Sequence, residues 1–255
     1  MSWIDSHCHL DFDDFDEPAT LITGLEQAGC ERVLVPAISA QYFQRLLNFK
    51  AIRPCMVDIA LGLHPYFLND HDPEHLSVLE RWVQQHRPVA IGEIGLDHML
   101  DPIGHDEQLD YFTAQVSIAK SNDLPIVVHC RKAHDELLKQ TKRLGFDSGG
   151  LIHGFSGSQQ QAKKYLDAGF VLGLGGALTH ERAKAMVKLV AYLPDDGFVL
   201  ETDSPDMAPS FALGQTNTPF NIPKIARYIA TYRNQDLEEI YGLSCASYYR
   251  ILHAS

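Results

Sequence analysis

The chain is poor in the features that mark several common protein classes. Its five cysteines, Cys8, Cys30, Cys55, Cys130 and Cys245, are odd in number, widely spaced and without a CxxC pair. That pattern excludes a disulfide framework and a thiolate zinc site of the paired kind. No run approaches the roughly 18 apolar residues a membrane helix needs. No basic-then-apolar leader precedes the first polar cluster, so a soluble, cytoplasmic protein is predicted. Basic residues are scarce, 21 Lys and Arg against 33 Asp and Glu, for a formal net charge of −12. An acidic surface repels nucleic acid at long range, which argues against coating of duplex but leaves room for a local positive site made by metal ions. Linkers, low-complexity tracts and composition breaks are absent as well, so the sequence predicts one domain over residues 1–255. Also missing is a Gly-rich phosphate loop after the first apolar segment, the mark of an open doubly wound sheet. At that place stands His7-Cys8-His9.

Two histidines at i and i+2 share a face only on a β-strand; on a helix they would point about 200° apart. The pair therefore makes a two-nitrogen claw for a metal if Trp3–His7 is a strand. Seven further apolar runs follow, at Glu31–Ile38, Met56–Leu63, Val89–Leu96, Pro125–His129, Gly150–Gly154, Phe170–Gly175 and Phe198–Thr202. Between them lie amphipathic, helix-favouring stretches: Asp16–Gly29, Gln41–Lys50, Glu74–Gln85, Asp106–Asn122, Ala133–Leu144, Ser158–Ala168 and Glu181–Leu193. Such alternation implies βαβ units and parallel sheet. Eight units in 255 residues predict an α/β fold of the closed (β/α)8, or TIM-barrel, type. The segment from Asn221 onward reads as two helices, the second closing the lower end or flank of the barrel. Ser204–Pro223 reads as a long ordered loop.

In such a barrel the active site lies at the C-terminal ends of the strands. Those positions hold His7 and His9, then His64, Glu93 with Asp97, His129 with Arg131, His153, and Glu201 with Asp203 and Ser204. Strands two and seven are bare. Polar groups on apolar strands are costly unless satisfied, and a metal centre is a common explanation for six strands bearing that cost at one end. His7, His9, His129, His153, Glu93 and Asp203 suit two divalent ions, with Glu93 placed to bridge them. Imidazole and carboxylate ligands accommodate Mg, Mn, Zn or Fe without choosing among them. Asp203 can also accept a proton from an activated water and is assigned as general base. His64 and Arg131 remain as donors to an anionic substrate group. Other polar residues read more plainly. His71, His75, His86, His105, His180 and His253 belong to loops or polar helix faces; His98 and His134 lie within reach of the site. Asp11, Asp13 and Asp14 read as a solvated loop, Lys132 as a helix-start surface residue, and Gly92 and Gly95 as positions of close strand packing. Cys8 and Cys130 alternate away from the site and read as small buried hydrophobes.

Six blocks together resemble the TatD-like metal-dependent hydrolases. They are Ile4-Asp5-Ser6-His7-Cys8-His9-Leu10, Gly62-Leu63-His64-Pro65, Ile91-Gly92-Glu93-Ile94-Gly95-Leu96-Asp97, Leu124-Pro125-Ile126-Val127-Val128-His129-Cys130-Arg131, His153-Gly154-Phe155-Ser156-Gly157-Ser158 and Leu200-Glu201-Thr202-Asp203-Ser204-Pro205. The resemblance implies a barrel of the amidohydrolase superfamily with a two-metal site and deoxyribonuclease or related phosphodiesterase activity. It implies that His7, His9, Glu93 and Asp203 hold one ion and that Glu93, His129 and His153 hold the other. His64 matches a residue that faces the substrate phosphate. The chain departs from the family's frequent pattern at Gly154, at His98-Met99 and at Thr216-Asn217-Thr218-Pro219. Its variants look closest to the YjjV-type branch, and the altered late loop bears on substrate choice.

The expected activity is hydrolysis of single-stranded DNA ends or short nucleic-acid fragments, with no membrane and no obligate protein partner. The alternative is hydrolysis of a small amide, lactone or phosphoester on the same site. Superfamily members of that kind commonly bridge their metals with a modified lysine, where this chain has Glu93. A non-catalytic scaffold would predict loss of the water-activating group, yet Asp203 is intact.

Overall fold

The computed structural model describes residues 2–101 and 104–253. Eight strands run in chain order: β1 (Trp3–Asp5), β2 (Cys30–Pro36), β3 (Val57–Leu61), β4 (Ala90–Asp97), β5 (Ile126–Arg131), β6 (Gly150–Ile152), β7 (Phe170–Leu174) and β8 (Phe198–Leu200). Helices α1 (Pro18–Gln27), α2 (Phe43–Ile52), α3 (Glu74–His86), α4 (His105–Ser121), α5 (His134–Arg143), α6 (Gln159–Asp167) and α7 (Lys184–Tyr192) separate them. Two more, α8 (Ile222–Arg233) and α9 (Leu237–Leu252), follow β8. Each strand pairs in parallel with the next, giving the order β1 to β8 without exception. The circle is completed just past the strand ends, where Ser6 N–H donates to the Leu200 carbonyl at 2.9 Å and Asp203 N–H to that of His7 at 2.9 Å. The fold is a (β/α)8 barrel.

Local chemistry sets several element ends. Pro18 opens α1, where a missing N–H costs nothing. Ser158 and Gln161 form a reciprocal capping box on α6. Arg87 and Asn234 end α3 and α8 in the left-handed conformation.

One side chain from every strand, Ile4, Leu34, Ala60, Ala90, Val127, Leu151, Val171 and Val199, fills the inside of the barrel. Tyr248, Ile251 and Leu252 of α9 pack into the same cluster, so α9 plugs the lower end as expected. Most of the remaining core lies between strands and helices, and Cys8 and Cys130 belong to it, turned away from the barrel interior. All five cysteines are free. No helix among the described residues is long and apolar enough to cross a membrane.

Strands are shorter than the apolar runs suggest, and this corrects one expectation about the histidine pair. β1 stops at Asp5, so His7 and His9 lie beyond the strand. The segment keeps a strand-like course because its neighbours still bind it: Cys8 N–H donates to the Leu34 carbonyl at 3.1 Å and His9 N–H to that of Ser204 at 2.7 Å. His153 and Asp203 likewise stand past β6 and β8. The loop after β8 is ordered through Asn217, fully buried, whose amide donates to the Thr202 and Asp206 carbonyls at 2.8 Å each. It ends two residues earlier than expected, because Pro223 lies in the first turn of α8.

Candidate metal centre

Glu93 is the hub of the upper end. It is 1% exposed, and its two carboxylate oxygens face different groups. Oε2 lies 3.1 Å from His7 Nε2 and 3.5 Å from His9 Nε2. Oε1 lies 3.0 Å from His64 Nε2, 3.3 Å from His129 Nδ1 and 2.8 Å from His153 Nε2. Regular alternation from inward-facing Ala90 would turn Glu93 outward. A register shift between Ile91 and Ile94 reverses the parity and brings it in. Gly92 and Gly95 make the close approach possible: a Cβ at Gly92 would sit 2.6 Å from Val127 Cβ, and one at Gly95 1.9 Å from the His129 carbonyl oxygen.

Asp203 closes the other side, with Oδ1 3.5 Å from His7 Nε2 and 3.8 Å from His9 Nε2. Its φ of +57° is a left-handed conformation uncommon for a residue with a Cβ. The His7 and His153 rings stack, centroids 4.0 Å apart and 10° from parallel.

Burial and charge oppose each other here. Burial drives His7 down to about 3 and His64 to about 4. Burial would also lower His153, but the Glu93 carboxylate outweighs it and carries this imidazole up to about 10. Burial would raise Glu93, yet the surrounding imidazoles hold it well below the usual carboxylate range. Asp203 is raised, chiefly by burial, which makes it a better proton acceptor than an exposed aspartate.

The donor set fits divalent cations. Both ring nitrogens of His7, and Nδ1 of His9 and of His153, are buried without a hydrogen-bond partner. Orphaned buried polar atoms around a carboxylate are the pattern a coordinated ion resolves. Ligand atoms within 4.8 Å of one another occur in His7–His9–Glu93, in His7–His153–Asp203 and in His64–Glu93–His129. Proximity thus groups His64 with ligands, but its hydrogen bonding argues for another role. His64 Nδ1 accepts the Tyr66 N–H at 3.0 Å, so in the neutral ring Nε2 carries the proton and donates.

Asp97 acquires a role that its position alone did not assign. Its Oδ2 lies 3.0 Å from His129 Nε2, leaving Nδ1 toward Glu93. Carboxylates of this kind orient metal-binding imidazoles. Burial pushes Asp97 up, but its bonds to His129 and the Met99 N–H bring it below the ordinary value. Asp97→Asn is expected to weaken metal retention about 10- to 100-fold with the fold intact, as checked by chelator competition and circular dichroism.

Other predicted positions fall in varied places. Arg131, 58% exposed at its side chain, reaches Asp97 at 3.8 Å and stands at the rim. Glu201 is buried behind the centre, accepts the Gly154 N–H at 2.6 Å and is raised by burial to about 8. It lies against β7, where a Cβ on Gly173 would come within 2.0 Å of Oε2; the bareness of that strand makes room for it. Asp5 ties β1 to the end of β8 by accepting from the Thr202 N–H at 3.0 Å and the Thr202 hydroxyl at 2.5 Å. The acidic loop is not uniformly solvated. Asp13 pairs with Arg45 at 2.7 Å, whereas Asp11 is 3% exposed, with Oδ2 4.0 Å from Arg45 Nε. His71 donates within its own loop, from Nε2 to the His64 carbonyl oxygen at 2.9 Å.

A parallel eight-stranded barrel with histidines and carboxylates converging at the upper ends of its strands defines a metal-dependent hydrolase. The chain belongs to the family described as TatD related DNase, which matches residues 4–253. It is 38% identical over 244 residues to the uncharacterized metal-dependent hydrolase YjjV of Escherichia coli K12, covering 93% of each chain. The crystal structure of that TatD homolog superposes with a TM-score of 0.93 at 35% identity, covering 99% of this chain and 98% of the other. A 3'-5' ssDNA/RNA exonuclease TatD of Pantoea vagans is 31% identical over 211 residues, 80% of each chain.

Proposed function

We propose that one domain spanning residues 1–255 is a two-metal phosphodiesterase that acts on single-stranded DNA ends or short nucleic-acid fragments in the cytoplasm. The observation that carries this reading is the division of Glu93, with one oxygen toward His7 and His9 and the other toward His129 and His153. In this reading His7, His9, Glu93 and Asp203 hold one ion, and Glu93, His129 and His153 the other. Two bound ions would supply an activated water and offset charge on the attacked and leaving oxygens. Asp203, raised by burial, accepts the water's proton. His64, donating through Nε2, and Arg131 at the rim bind the anionic oxygens of the substrate. The exonuclease name of the Pantoea relative supports the substrate class. Glu93 stands where a bridging lysine would favour amide or lactone hydrolysis.

Metal-replete protein is expected to release mononucleotides from end-labelled single-stranded oligonucleotides, and a chelator to stop the release. Failure to cleave phosphodiesters in any end structure, with turnover of cyclic amides or lactones instead, would replace this reading with the alternative.

A further inference from the structure

Beside the metal centre lies a cavity of about 580 Å³ between the loops that follow β4, β5 and β6. Its volume is in the range of small-ligand sites. Arg131 is common to the cavity and the centre, since its guanidinium is 3.8 Å from Asp97, which in turn holds His129 at 3.0 Å. The walls carry both signs of charge, but the acidic ones are engaged elsewhere. Asp135 pairs with Lys164 at 3.0 Å, and Glu136 with Lys139 at 3.4 Å and the Gln140 amide. Lys132, by contrast, has no ion pair or hydrogen bond among the described residues, and its backbone at φ +57° holds it at the cavity wall. The cavity's uncompensated charge is therefore positive.

His134 adds a directed donor. Its Nδ1 is 3.1 Å from Cys130 Sγ and 3.1 Å from the Tyr165 hydroxyl, both of which can give it a proton. That arrangement puts the ring's own proton on Nε2, the edge left for the cavity. Met99, 59% exposed, also lines the cavity, next to His98, whose ring stacks on His105 at 4.3 Å. Three N–H donors and an apolar and aromatic ledge lining one cavity suit a nucleotide, with the phosphate on the donors and the base on the ledge.

We propose that this cavity is a second phosphate site, holding the nucleotide next to the scissile bond through Arg131, Lys132 and His134. The inference rests on the phosphodiesterase reading above, and makes the enzyme one that measures two phosphates. It accounts for Lys132 and His134, which the centre itself does not use.

The test compares a single-phosphate diester, bis(p-nitrophenyl) phosphate, with a thymidine dinucleotide carrying a 5′-phosphate. Lys132→Glu and Lys132→Asn change an exposed side chain, and Asn tolerates the left-handed backbone. Both are expected to cut the preference for the dinucleotide about tenfold or more, through KM rather than kcat, with Lys132→Arg restoring most of it. A binding arm needs no turnover: chelator-treated protein should bind thymidine 3′,5′-bisphosphate more tightly than thymidine 5′-monophosphate, and Lys132→Glu should erase the difference. If the wild type cleaves both substrates with a preference the variants leave unchanged, the cavity is not a phosphate site. If it cleaves neither, the phosphodiesterase reading fails, and the binding arm alone decides the cavity, equal affinity for the two thymidine phosphates overturning the inference.

Discussion

Glu93→Gln is expected to empty both halves of the centre and lower turnover by about 10³-fold or more. The side chain keeps its size, and the close approach of Gly62 is to the Glu93 backbone, so packing around the strand should survive. What disappears is the negative charge that five imidazoles surround. Metal content, measured on protein reconstituted and desalted, should fall toward zero. The same substitution has a pH signature. In chelator-treated wild type, Glu93 lifts His153 from 6.5 to about 10. A histidine raised in the folded state contributes stability that is complete below its unfolded value and lost as pH rises through its folded one. Stability of the wild type should therefore decline between pH 6.5 and about 10, and Glu93→Gln should flatten that decline. Metal uptake must displace the same proton, so apparent affinity of the wild type should rise with pH across that window. A variant that retained both ions and the wild-type slope would refute the bridging role.

Asp203→Asn should separate holding from catalysis. Asparagine keeps an oxygen at the same place and is at home in a left-handed backbone such as that of Asp203 at +57°. His7, His9 and Glu93 remain, so at least part of the metal should stay. A carboxamide cannot accept the proton of an attacking water, and kcat is expected to drop about 10²- to 10⁴-fold. In the proposed role Asp203 would work deprotonated, and it is raised by burial, so the wild-type rate should climb with pH through its titration and level off. The variant should lack that acidic limb. Turnover within tenfold of wild type, with the limb intact, would move the general base to another residue.

Most of the centre was legible because its members share one structural address. His129 and Arg131 on β5 follow simple alternation from inward-facing Val127, and Glu201, one residue past β8, from inward-facing Val199. The barrel itself was legible for a similar reason, since a strand followed by a helix recurs eight times. What alternation cannot convey is a change of parity. Glu93 faces inward only because the β4–β5 register slips after Ile91. The role of Asp97 was available from its spacing, four residues beyond Glu93 on one face, but its partner His129 lies on another strand. The donor role of His64 depends on a backbone N–H two residues on. Asp11 sits among aspartates that look alike in sequence, and only the packing of Phe12 on His9 and of Arg45 nearby separates the buried one from the exposed ones.

The plug of Tyr248, Ile251 and Leu252 against one side chain from each strand makes the catalytic chamber a cul-de-sac. Nothing can be threaded through the barrel, so whatever enters by the upper mouth must leave by it. For a polymer of the proposed substrate class, a terminus would go in first and be cut near its tip. The severed piece would then have to back out past the chain that delivered it. Entry and exit share one doorway, and turnover on long strands should be governed by how quickly that doorway clears.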